Sequence, residues 1–199
     1  DPPKGRPTRW PLREDTVPKP VTGIVALMLA SEDFIRERGL DPVAWISGMG
    51  WATETAFLGD RDLAKAPALE SAAKQAYGEA GVADAATAFD LAEVTDVTPY
   101  QALIALDALG LASRAQWRDK LPEFGPDGRL PVNLSGGVAS LNPVFCTGLI
   151  RIAEVANQLR GRAGAHQKPG VKRGLAHAAS GPAMQYQTVI ILDAGRNAA

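Results

Sequence analysis

Cysteine and histidine are almost missing from this chain of 199 residues, which has one cysteine, Cys146, and two histidines. A lone cysteine excludes an intrachain disulfide, and a disulfide-free chain fits a reducing cytoplasm. No Cys/His spacing suits a metal. The net charge of -1 gives no global reason to expect nucleic acid or an anionic membrane as partner. The longest apolar run, Ile24 to Ala30, is too short to span a bilayer, and no charged-then-apolar leader opens the sequence. Short-period repeats and coiled-coil heptads are absent. The chain opens Asp1-Pro2-Pro3 without methionine, so a trimmed chain, a processed product or a piece of a longer protein is expected.

What is present is apolar and layered. Apolar residues make up 46% of the chain, enough for a substantial core in one large domain or two small ones. Residues 1–20 hold six prolines and no apolar period, and they read as an extended arm or loop. From Val21 strand and helix signals alternate through 193, and 194–199 form a tail. Val21 to Ala30 predicts a buried strand. Ser31 caps a short helix over 32–38 that Gly39 ends. A strand follows over 43–52. Pro67 opens an alanine-rich helix to about Ala80, with Leu69, Ala72, Ala73, Ala76 and Tyr77 on one face.

Further along, Phe89 to Val94 predicts a short strand and Pro99 a helix stopped by Gly110. A shorter helix lies near 113–120, and Pro131 to Leu134 reads as a strand. A longer helix covers 145–159, with Leu149, Ile152, Ala153, Ala156 and Leu159 expected on its inner face. The last two strands, 171–178 and 185–192, suit a hairpin about Ser180-Gly181-Pro182. This alternation predicts an α/β domain with a mixed, mostly parallel sheet of about five strands flanked by helices.

Chemistry concentrates in two places. From Arg151 onward there are seven Lys/Arg against two Asp/Glu, several of them in a loop around Arg160, Arg162, His166, Lys168 and Lys172. Such a loop suits solvent or a phosphate-bearing ligand. The other place is Asn133-Leu134-Ser135-Gly136-Gly137, followed by Asn142-Pro143 and Thr147-Gly148. Two glycines end a short apolar run, and an Asn-Pro step opens a long helix. Backbone amides at such a junction are expected to be unpaired and able to hold an acyl oxygen.

This stretch resembles the Asn-x-Ser-Gly-Gly…Gly-His-Pro…Thr-Gly signature of thiolases. Other segments agree in order. Thr22-Gly23-Ile24-Val25-Ala26-Leu27 is similar to the family's Asp-Gly-Ala-x-Ala strand. Phe89-Asp90-Leu91-Ala92-Glu93-Val94 matches the strand before Asn-Glu-Ala-Phe, and Gly174-Leu175-Ala176-His177 looks like the sterol-carrier-protein type. The resemblance spans roughly residues 20–193 and implies the C-terminal half of a thiolase. In that family two α/β halves stack about a shared central helix layer, so one half alone would expose an apolar face. A homo- or hetero-oligomer with a thiolase-type N-terminal half or an accessory subunit is therefore expected.

The departures are chemical. Thiolases need a nucleophilic cysteine, a base at the α-carbon and donors for the thioester oxygen. The resemblance places the nucleophile in an N-terminal half that this sequence does not contain. Asn142 stands where the family's histidine should be, Thr95 where its Asn-Glu-Ala-Phe asparagine should be, and the late loop reads Ala178-Ala179-Ser180-Gly181-Pro182 without cysteine. Asn142 can hold an oxyanion but cannot relay a proton. His177 is the most plausible surviving base, and a hydrogen-bonded structural histidine is the alternative.

Gly136 and Gly137 carry over as the residues that let backbone approach a ligand. Thr95 lies at a strand end, where ligands bind open α/β sheets. Tyr186 follows the loop used by tyrosines in some retro-aldol relatives. Cys146 near a helix start is a small buried hydrophobe or, less simply, the nucleophile of an independent Cys/His hydrolase. The implied substrate is a coenzyme A thioester, with no covalently bound cofactor. The expected function is a thiolase-like chain of an acyl-CoA C-acyltransferase, or of a retro-Claisen or retro-aldol assembly. The alternative is a non-catalytic structural or acyl-binding partner.

Overall fold

The computed structural model describes residues 5–40 and 44–195; Val43, where a strand is predicted to begin, and residues 1–4 and 196–199 lie outside this range. The arm contains a small antiparallel hairpin of β1 (Pro7–Arg9) and β2 (Leu12–Arg13). The strand predicted over 21–30 does not form. Among the described residues that segment pairs with no strand, and Ile24 and Met28 are 94% and 99% exposed. An apolar run shows that a segment needs burial, but not which surface provides it.

Helix α1 (Glu32–Arg38) is bounded as its caps predict. Ser31 Oγ accepts the Phe34 amide at 3.2 Å, and Gly39 turns left-handed at φ 59°. Strand β3 (Trp45–Thr53) leads to α2 (Pro67–Ala80), which starts on its proline and ends at Gly81. A single turn, α3 (Ala85–Ala88), precedes β4 (Leu91–Glu93). Thr98 caps α4 (Pro99–Ala108), and the short α5 (Trp117–Lys120) follows. One turn of helix, α6 (Gly137–Ser140), precedes α7 (Thr147–Leu159). Strands β5 (Arg173–Ser180) and β6 (Tyr186–Asp193) close the chain as the expected hairpin.

Among the described residues the main sheet has four strands in the order β3-β6-β5-β4. It is mixed and flanked by helices, as expected. However, β3–β6 and β6–β5 are antiparallel, and only β5–β4 is parallel. The closing hairpin lies in the middle of the sheet and sets this direction, which apolar runs cannot reveal. Residues 131–134 contribute one parallel bridge, Ala92 to Val132, in place of a strand.

Helices α2 and α4 cover one face of the sheet. Leu69, Ala72, Ala73 and Ala76 pack with Leu175, Val189 and Ile191. Gly48 and Gly50 let the α2 backbone rest directly on β3, because a Cβ at either would run into the Ala76 or Ala72 carbonyl.

On the other face α7 lies over β4 and β5 with its polar side inward. Thr147, Arg151, Glu154 and Gln158 are buried beside Val155 and Leu159. Of the residues expected on the inner face only Leu159 is buried, and Leu149 is 42% exposed. The reason is a buried charge on β4, Glu93, that α7 must answer. Leu149 therefore looks outward, and Ile152 packs only partly buried against Leu91, Val155 and Leu159. Beside α7, Met49, Trp51 and Tyr186 stand exposed on the β3–β6 half of the same face.

Candidate functional site

The end of β4 organises the Ser-Gly-Gly loop. Glu93 and Arg151 are both fully buried and paired at 2.9 Å. Glu93 also accepts the Ser135 amide at 3.1 Å and the Ser135 hydroxyl at 2.6 Å. Arg151 donates to Ser135 Oγ at 2.9 Å and to the Gly137 carbonyl at 3.5 Å. Burial raises the Glu93 carboxyl above its ordinary range, while Arg151 and Ser135 pull it down. Asp96, three residues on, accepts the Val138 amide at 2.7 Å, and burial raises its carboxyl too.

The loop's backbone needs its glycines. Asn133, Gly136 and Gly137 have φ of 59°, 86° and 65°. A Cβ at Gly137 would stand 2.6 Å from the Asp96 carboxylate. Four amides of the Ser-Gly-Gly loop are engaged. Ser135 donates to Glu93, Gly136 to the Asn133 carbonyl, Gly137 to Ser135 Oγ and Val138 to Asp96. In this conformation none of these four is left for an acyl oxygen, because two carboxylates beneath the loop take two of them and the loop's own Asn133 carbonyl and Ser135 hydroxyl take the others.

Thr95 and His177 form a second cluster on the α2 side. Thr95 is 4% exposed; its hydroxyl donates to the His177 carbonyl at 3.2 Å and accepts the Ala179 amide at 3.3 Å. The Thr95 amide donates to His177 Nδ1 at 3.4 Å, which places the ring proton on Nε2, facing Gln187 Oε1 at 2.8 Å. Gln187 in turn donates to the Met184 carbonyl at 2.6 Å. The ring is completely buried, and desolvation pushes its pKa down to about 4. His177 is therefore neutral near pH 7. Its geometry suits holding the strand ends and the 181–185 turn rather than taking a proton from a ligand.

Asn142 is half-buried at the entry to α7. Its side-chain oxygen accepts from the Thr147 hydroxyl at 3.4 Å, and its carbonyl accepts the Val21 amide at 3.0 Å. Cys146 sits one position ahead of the first turn of α7, half-buried, with Sγ 4.0 Å from the Gly23 carbonyl. Tyr186 is half-exposed at the start of β6, opposite Ser180 and Thr53. The turn before it holds Ala183 and Met184 at φ 49° and 59°, with Arg61 bridging the Pro182 and Ala183 carbonyls.

A cleft of about 640 Å³ runs between the Ser-Gly-Gly loop and the basic loop, lined in part by Asn133, Gly136, His166 and Lys168. The basic loop is not uniformly available to a ligand. His166 faces Glu154 at 3.0 Å, and Lys168 donates to the Gly128 and Arg129 carbonyls. Arg173 forks onto Asp193, whereas Arg160, Arg162 and Lys172 are exposed.

The structure thus brings Asn133, Ser135, Gly136 and Gly137 together with Glu93, Asp96 and Arg151. The last three are not evident from the family signature. One signal was legible: Thr147, Arg151, Glu154 and Gln158 recur at helical spacing and form a polar stripe.

A mixed α/β sheet with a carboxylate-clamped Ser-Gly-Gly loop at a strand end, under a helix that buries a polar stripe, defines a thiolase-like half-domain. Residues 50–194 match the family described as thiolase C-terminal domain-like, and the chain belongs to that family. An acetyl-CoA acetyltransferase of Methanothermobacter thermautotrophicus is 33% identical over 161 residues, covering 78% of this chain and 41% of that protein. Human sterol carrier protein 2 (Homo sapiens) is 32% identical over 164 residues, covering 78% of this chain and 29% of that protein. The chain therefore spans less than half the length of these relatives.

Two solved structures share the fold. The Ltp2-ChsH2(DUF35) aldolase superposes with a TM-score of 0.76 at 22% identity, over 96% of this chain and 50% of that one. A monomeric SCP2-thiolase like protein type 1 from Mycobacterium smegmatis gives 0.57 at 24% identity, over 83% and 33%. No helix among the described residues is long and apolar enough to cross a membrane.

Proposed function

We propose that this chain is the C-terminal half of a thiolase-type assembly acting on coenzyme A thioesters. The reaction is acyl transfer to carbon, or retro-Claisen or retro-aldol cleavage of a carbon–carbon bond. The nucleophilic cysteine comes from a thiolase-type N-terminal half or an accessory subunit. The observation that carries this reading is α7 with four polar residues buried and Leu149 exposed, beside Met49, Trp51 and Tyr186 uncovered on the same face of the sheet. Such a helix suits the middle layer between two halves. The acetyltransferase among the relatives and the aldolase among the structural neighbours support the reaction class.

On this reading Asn142 offers its amide to an acyl oxygen at the mouth of α7. Gly136 lines the cleft by which a thioester reaches the loop, Gly137 lets Asp96 pack beneath it, and Tyr186 meets the ligand from the β6 side. Thr95 and His177 hold the strand ends beneath. The test is to assemble the chain with a thiolase-type N-terminal half and measure acetyl-CoA binding by calorimetry and release of free coenzyme A. Binding with turnover that Asn142→Ala lowers at least tenfold supports the proposal. No binding by the assembly defeats it. Binding without turnover points to the second reading, a non-catalytic acyl-binding partner, which is favoured by an asparagine at position 142 that cannot relay protons.

A further inference from the structure

We infer that helix α2 seals the β3 edge of the sheet. Gln75 and Glu79 stand in for the neighbouring strand that is missing there, and without them β3 pairs with β3 of a second copy of this chain. Three observations carry this. First, the strand holds few guards of its own. Trp45–Thr53 contains no charged residue and no proline, the residues that commonly blunt an exposed edge. Its one irregularity, between Ile46 and Gly48, leaves 49–53 in regular register with β6.

Second, outward backbone groups in the middle of β3 are met by side chains of α2. Met49 N–H donates to Glu79 Oε2 at 2.8 Å. Trp51 N–H donates to Gln75 Oε1 at 3.4 Å, and Gln75 Nε2 donates to the Trp51 carbonyl at 3.3 Å. One carboxamide therefore answers both groups of one residue, as the opposite residue does in an antiparallel hydrogen-bonded pair. The spacing fits as well. One helical turn, about 5.4 Å, carries the chain from Gln75 to Glu79, close to the roughly 6.8 Å between alternate strand residues.

Third, the reach depends on how near α2 lies. Gly48 and Gly50 hold the helix backbone against the edge strand, where a Cβ would strike the Ala76 or Ala72 carbonyl. The opposite edge is closed differently, by main chain. There Ala92 N–H donates to the Pro131 carbonyl, and the Ala92 carbonyl accepts the Asn133 amide. Only the β3 closure can be lifted by changing exposed side chains, since Gln75 and Glu79 both face solvent. A second copy is the matching occupant, because two identical antiparallel strands are self-complementary about a two-fold axis. The seal leaves the uncovered face bearing Met49, Trp51 and Tyr186 free for a partner and keeps the edge from competing with it. It stands or falls independently of the thioester reading.

The experiment measures self-association of the full chain by sedimentation equilibrium and amide exchange by NMR. Gln75→Ala with Glu79→Ala tightens self-association at least tenfold over the parent. In dilute solution the Met49 and Trp51 amides of this double variant exchange at least tenfold faster than in the parent. In concentrated solution they slow again by at least tenfold, as edge pairing covers them. Adding Met49→Pro returns association to the parent's level, since proline removes an outward donor and is tolerated on an edge strand. Glu79→Gln, which keeps an acceptor, behaves as the parent. Three results overturn the inference. One is association no tighter than the parent's. Another is tighter association in which amides 49 and 51 still exchange fast, which marks contact through the apolar face. The third is association that Met49→Pro leaves in place, which marks misfolding.

Discussion

Replacing Arg151 by methionine tests the clamp beneath the Ser-Gly-Gly loop. The guanidinium is fully buried, 2.9 Å from both Glu93 Oε2 and Ser135 Oγ. Methionine fills much of the same volume but leaves the Glu93 carboxylate without a countercharge. Breaking a buried pair in this way costs about 3–5 kcal/mol. For a domain of this size that lowers Tm by roughly 6–20 °C.

The loss also depends on pH. Burial already raises the Glu93 carboxyl, and without Arg151 it rises further. A carboxyl whose folded pKa lies above its unfolded value contributes stability at low pH and loses it as pH rises through the folded pKa. Arg151→Met is therefore milder at pH 5 than at pH 8. Removing both charges, with Glu93→Leu added, recovers most of the loss, because an apolar pair of similar volume is often neutral or better. The assay is urea unfolding followed by tryptophan fluorescence, run as a double-mutant cycle. Exchange of the Ser135 amide serves as a local probe, since Glu93 holds it at 3.1 Å. A single-variant cost below about 1 kcal/mol, or a double variant whose losses simply add, would refute the clamp.

Two further outcomes follow from burial and close approach. His177 has a folded pKa of about 4 against an ordinary 6.5, so the unfolded chain takes up its proton first. Its contribution is full above pH 6.5 and falls by about 3 kcal/mol as the pH drops to 4; His177→Gln flattens that part of a stability–pH profile, and an unchanged slope contradicts the buried neutral ring. Gly50→Val drives a side chain into the Ala72 carbonyl and lifts α2 off β3, at a cost above about 3 kcal/mol. A Tm within a degree or two of the parent speaks against direct backbone packing there.

Much of the fold was legible because local chemistry sets it. Ser31 and Gly39 bound α1, and Pro67 and Pro99 open α2 and α4 wherever the rest of the chain lies. The site was legible in part. Ser135-Gly136-Gly137 marks the loop, and its glycines take the left-handed backbone that L side chains resist. Glu93 and Arg151 were not visible as a pair, since 58 residues separate them and only β4 and α7 packing brings them together.

By itself, then, the sequence determined where several helices start and stop and that the chain carries a thiolase-like C-terminal half. Tertiary structure alone decided strand direction, which side of α7 is buried, that the loop amides are occupied, and that residues 21–30 find no place in this chain's own sheet. The physical reason is common to all four. Apolarity and hydrogen-bonding capacity are properties of residues, but whether they are satisfied depends on which distant surface arrives to meet them.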